Sequence, residues 1–185
     1  MIKFFHRGFL IAAMLFVAVT YTGAYFSDSV SVSGNTFSAG VWAEPVINEI
    51  YSNPLTGEIE WIELLNNQPS TLSLAGYTIE DGTGSQKNLG SYSILANGYL
   101  VLNKGVDFTF GLNNPGDTII LRKSGVVKDQ ITYGNWNDGN IADNAPAPAA
   151  GESIGRIPNG TDTNVDISDF QIRTHPNITP GGPNA

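Results

Sequence analysis

Between Glu44 and Tyr133 short apolar stretches recur between turn-forming residues, and no sustained helical period runs through them. That punctuation constrains the fold more than any other feature. VINEIY (46–51) ends at Asn53-Pro54, and EWIELLN (60–66) ends in NNQPS. LSL (72–74) passes through Ala75-Gly76 into YTIED (77–81), which the glycines of GTG close. Short pieces at 87–89 and 92–95 follow, and Asn97-Gly98 turns the chain into YLVLN (99–103). Asn-Gly is a strong turn signal because both residues tolerate the positive φ that tight hairpins need. Asn113-Asn114-Pro115-Gly116 marks another reversal, before two strands at 117–123 and 126–133 joined by Ser124-Gly125. Val, Ile, Tyr, Trp and Thr dominate these stretches, as suits a pleated, half-buried face. The expected fold class is all-β, a sandwich or barrel. A domain of about 140 residues buries roughly two-thirds of its unfolded surface, enough to stand without staples.

The chain has no cysteine, which removes disulfides, thiolate zinc sites and cysteine nucleophiles together. Seventeen Asp and Glu face nine Lys and Arg. The basic residues are scattered apart from Arg122-Lys123, so the counterion-releasing footprint of a nucleic-acid binder is missing and no nucleic-acid partner is expected.

The N-terminus reads as an export signal. Lys3, His6 and Arg7 precede the uncharged run 8–26, whose apolar heart from Phe9 to Val19 has the length of a signal h-region. Thr22 and Ala24 are small at the positions required for cleavage before Tyr25, which makes 1–24 a signal peptide. An uncleaved anchor is the alternative, since nothing charged intervenes between Arg7 and Asp28; the membrane would then be engaged only through the leader. Residues 25–43, rich in Ser, Val and Gly with alternation in SVSVS, suit a linker or a short strand.

Two resemblances follow from the motifs. AYFSD and GNTFSAG resemble the signal region of the camelysin and biofilm-fibre group of secreted proteins, which implies export and processing. More extensively, VINEIYSNP, EWIELLN, LAGYTIED, LANGYLVL, LNNPGDTIIL and GVVKDQITYG, in that order, resemble a lamin-tail domain of the prokaryotic type. This resemblance implies an immunoglobulin-like β-sandwich spanning 44–185, with its core at about 46–134 and an irregular C-terminal extension, after an N-terminal signal helix. It also implies a binding or tethering module, secreted or at the cell surface, and not an enzyme. A structural subunit of a surface assembly is the alternative, with a secreted serine hydrolase behind it.

The hydrolase idea rests on GESIG (151–155), which has G-x-S-x-G spacing. A nucleophile elbow needs a strand before its serine and a helix after it, whereas Ser153 follows APAPAAG and precedes IGRIPNG. Asp162, Asp166 or Asp169 and then His175 complete a triad order, yet Pro- and Gly-rich chain offers them no scaffold. Ser153 is therefore expected in a turn and His175 in an exposed loop. DTNVD (162–166) alternates oxygen ligands like a calcium loop, but Ile167 fills the glycine slot and Arg173 the place of the bidentate Glu. Glu60 and Glu63, an odd number of residues apart, point to opposite faces of a regular strand and are expected at edge or surface positions. Glu49 completes that carboxylate group.

Trp61 and Tyr77 are expected to fill the sandwich. The loop NWNDGNIADN (135–144) carries the expected ligand contacts: Trp136 with Tyr133 beside it, and Asp138 and Asp143, for a surface protein or a carbohydrate. No cofactor is expected; calcium, for which Asp138 and Asp143 offer hard oxygen donors, is the one open ion. Asn159-Gly160-Thr161 and Asn177-Ile178-Thr179 are glycosylation sequons where the host modifies exported proteins.

Overall fold

Alternation along the strands decides which side chains face inward. In β4 (Tyr77–Asp81) Tyr77, Ile79 and Asp81 are buried while Thr78 and Glu80 are only half-buried, the pattern of a strand with one covered face. In β1 (Val46–Tyr51) and β2 (Trp61–Leu65) nearly every residue is buried, which requires a cover on both faces. A computed structural model describes residues 44–184. The expected leader, the 25–43 segment and the camelysin-like stretch lie outside the described residues.

The remaining strands are β3 (Leu72–Ser73), β5 (Gln86–Asn88), β6 (Ser93–Ile94), β7 (Tyr99–Asn103), β8 (Gly116–Lys123), β9 (Val126–Gly134), β10 (Ser153–Arg156) and β11 (Phe170–Arg173). They make a five-stranded sheet in the order β11-β10-β1-β2-β7, a four-stranded sheet in the order β5-β4-β8-β9, and the small pair β3-β6. Every pairing between named strands is antiparallel. One apolar cluster joins the two large sheets: Ile47, Ile62 and Ile154 come from the first, Tyr77, Ile119 and Ile131 from the second. The arrangement is consistent with the immunoglobulin-like sandwich expected. Among the described residues no helix is long and apolar enough to cross a membrane.

Several expectations change. The stretch after residue 134, expected as an irregular extension, supplies β10 and β11, with β10 pairing β1 from Glu49↔Gly155 to Ile50↔Ile154. Ser153 is the first residue of β10 rather than a turn residue; the turn is at Gly151, whose φ is +81°. Trp61 is buried but does not join the inter-sheet core: Ile62 and Leu64 point inward, so Trp61, Glu63 and Leu65 point out of the sandwich. Glu63 is fully buried rather than at the surface, because residues 177–184 lie across that outer face.

Candidate functional site

The fold places the loop 135–144 at the end of β9. A parallel bridge from Tyr133 to Ala145 closes its base. The Asn144 side-chain amide donates to the carbonyls of Gly134 and Trp136, both at 2.8 Å, so the loop is held from inside. Trp136 is half-buried, and its ring lies so close to Gly82 that a Cβ there would sit 2.3 Å from it. Tyr133 corrects the expectation most sharply. It is fully buried in the core, and its hydroxyl donates to the Asn113 carbonyl at 3.0 Å, so it has no face for a ligand.

Asp138 and Asp143 do come together, with partners the sequence did not connect. They line a cleft of about 360 Å³ with Asp129, Gln130, Asn164, Asp166 and Lys128, whose ammonium is paired with Glu44 at 2.8 Å. The Thr132 hydroxyl donates to Asp138 at 2.7 Å, and the Thr132 N–H donates to Asp166 Oδ2 at 2.7 Å. Burial pushes the Asp166 carboxyl up to about 7; the Thr132 N–H and Arg156 pull against it, while Asp129 and Asp143 add repulsion. Asp129 had one usable signal, since it shares the inward phase of Ile131 and Tyr133 along β9. Asp166 had none, lying 34 residues beyond Thr132. Among the described residues no three His, Asp or Glu side chains converge as a metal ion requires. The DTNVD oxygens diverge: Asp162 approaches Arg156 at 3.3 Å while Asp166 turns to Thr132.

The triad order of Ser153, Asp and His175 does not assemble. Ser153 is fully buried within the five-stranded sheet, and its hydroxyl donates to Glu49 Oε1 at 2.5 Å. Asp169 accepts from Arg156 at 3.0 Å and from the Thr163 hydroxyl at 2.7 Å. His175 is exposed, as expected, on a separate groove formed with Tyr51, Glu58, Ile59 and Trp61. Glu60 is engaged by Lys104 Nζ at 2.7 Å and by the Leu112 N–H at 2.7 Å. The Asn159 sequon side chain is also committed, donating to the Tyr99 hydroxyl and accepting from Asn48 and from the Asn184 N–H. What the described residues offer chemically is an open acidic cleft beside a pinned aromatic loop, without an activated nucleophile at Ser153.

Comparison with known families matches residues 42–135, slightly more than half of the chain, to the Lamin Tail Domain. No curated protein and no solved structure matches.

Proposed function

The chain belongs to the lamin tail domain family, a non-catalytic immunoglobulin-like family of binding or structural modules, and from that premise we propose that it is an exported binding or tethering module of the cell envelope or extracellular space. The leader sequence supports export. The observation that carries the non-catalytic reading is Ser153, sealed inside a sheet with a carboxylate as its partner where a hydrolase needs an exposed serine beside a base.

The binding face we assign is the cleft of Asp138, Asp143 and Asp166 with Trp136 in the adjoining loop. Its charge suits a surface protein or glycan presenting amine or guanidinium groups. Binding of the exported chain to intact cell envelopes, with and without Asp138→Asn plus Asp143→Asn, tests this. The double substitution should weaken binding by about fivefold and flatten its salt dependence. Equal binding by both proteins would remove the cleft from the account.

A specific observation also favours the assembly alternative. β9 is an edge strand, and Val126 and Val127 at its start are 61% and 44% exposed. Sedimentation of the chain with and without residues 25–43 separates the two readings: a monomer in both cases excludes an assembly built by that segment adding to a neighbour's edge.

A further inference from the structure

The outer face of the five-stranded sheet holds two fully buried carboxylates side by side. Glu49 of β1 and Glu63 of β2 are direct cross-strand partners. What seals them from water is the segment 177–184. Thr179 donates its N–H and its hydroxyl to Glu49 Oε2 at 3.3 and 3.4 Å, and the Gly181 N–H donates to Glu63 Oε2 at 2.6 Å. Further along, the Asn184 N–H donates to Asn159 Oδ1 at 2.9 Å and its side-chain amide to the Asn48 carbonyl at 3.0 Å. Asn184 lies so close over Gly155 that a Cβ there would be 2.7 Å from its amide nitrogen.

We propose that residues 177–184 form a proton-controlled strap, closed while the Glu49–Glu63 pair holds a proton and released when both carboxylates are ionised.

The physical reason is the missing counter-charge. Neither glutamate forms an ion pair among the described residues. Two buried carboxylates on neighbouring strands cannot both ionise cheaply, because each loses its hydration and repels the other. The groups facing them are almost all neutral: Asn48 donates to Glu63 at 2.8 Å, Ser153 to Glu49, and the strap contributes backbone and hydroxyl donors. Val101 is opposite Glu63 on β7. Among the described residues, the cation that acts on the pair is Arg173 of β11, which draws Glu49 down but donates its Nε–H to the Asn177 carbonyl. Ala185, next to the strap, lies outside the described residues. All four carboxylate oxygens accept a hydrogen bond, but from neutral donors, so no ion pair offsets the second negative charge.

Burial accordingly raises both carboxyls, Glu63 to about 7. Opening the strap hydrates them and returns them to the ordinary range. A group raised in the closed state contributes its stabilisation below its ordinary value, near 4.3, and loses it as pH climbs through about 7. The strap should therefore loosen between mildly acidic and neutral pH. Its release would uncover both carboxylates together with Tyr51 and Trp61, whose tilted rings have centroids 5.7 Å apart at the strap's near end.

Amide hydrogen exchange of the exported chain, corrected for intrinsic base catalysis, tests this at Thr179 and Gly181, with Ile119 and Ile131 as core controls. Between pH 5 and 8.5, protection at the two strap amides should fall by about a hundredfold while the core amides hold. Glu63→Gln keeps the shape and the acceptor but not the charge, and should leave strap protection flat. The wild-type profile decides alone if that variant misfolds. Strap protection that is independent of pH, or that falls only together with Ile119 and Ile131, overturns the proposal. Glu58 and His175 also lie beside the strap residues Ile178 and Pro180; with Glu58→Gln or His175→Gln, a response lost there and kept in Glu63→Gln overturns the proposal as well.

Discussion

Among the described residues Arg156 is the largest fully enclosed side chain, and its neighbours hold its charge. Its guanidinium meets Asp129 at 2.9 Å and Asp169 at 3.0 Å, donates to the Ile47 carbonyl at 2.8 Å, and stacks 4.5 Å from the Phe170 ring centroid. Truncating it leaves two buried carboxylates without a counter-charge, so Arg156→Ala should cost about 3 to 5 kcal/mol in urea unfolding. Lysine cannot reproduce the planar fork that reaches both acids, and Arg156→Lys should remain clearly destabilised. A lone Arg in SIGRIPNG carries no pattern that separates this hub from a solvated side chain; its acidic partners lie 6, 13 and 27 residues away. At Gly82, the overlap with Trp136 gives a second expectation. Gly82→Ala should push the indole into water and red-shift its fluorescence while the sandwich stays folded.

At the level of elements, the strands with long alternation and clear punctuation were legible, β1, β2, β4, β7, β8 and β9 among them. The β8–β9 hairpin follows directly from its two loop residues. Ser124 and Gly125 have φ of +51° and +83°, the two positive values that a tight hairpin loop requires. Asn tolerates that conformation better than Ser, so Ser124→Asn should stabilise by about 0.5 kcal/mol, seen as a higher urea midpoint at unchanged slope. β10 and β11 were not legible, being four residues each and lacking long alternation. Their strand character comes from the edge that β1 offers, which is tertiary information. Glu63 was misassigned for a related reason. A glutamate between apolar residues on a strand reads as a solvent-facing position, and nothing local to WIELL says that residues 177–184 cover that face.

Across the whole molecule, the carboxylates that burial raises and an acid surplus push stability the same way. Glu63 and Asp166 are both held near 7 by burial, so the folded chain binds more protons than the unfolded one through the interval above the ordinary carboxylate range. Urea midpoints should accordingly fall from pH 5 to pH 8, and Glu63→Gln should remove part of that slope. The order of the core motifs made the sandwich and its family visible before any coordinates. The acidic cleft was visible only by half: Asp138 and Asp143 lie on one loop, whereas Asp129 and Asp166 reach it from a strand and a distant helical turn. The central claim is that Ser153 of β10, buried in the five-stranded sheet and hydrogen-bonded to Glu49, is not an activated nucleophile. Labelling of the chain with a fluorophosphonate, which captures activated serines, tests it most directly. No label should attach to Ser153; labelling that disappears in Ser153→Ala would contradict the account.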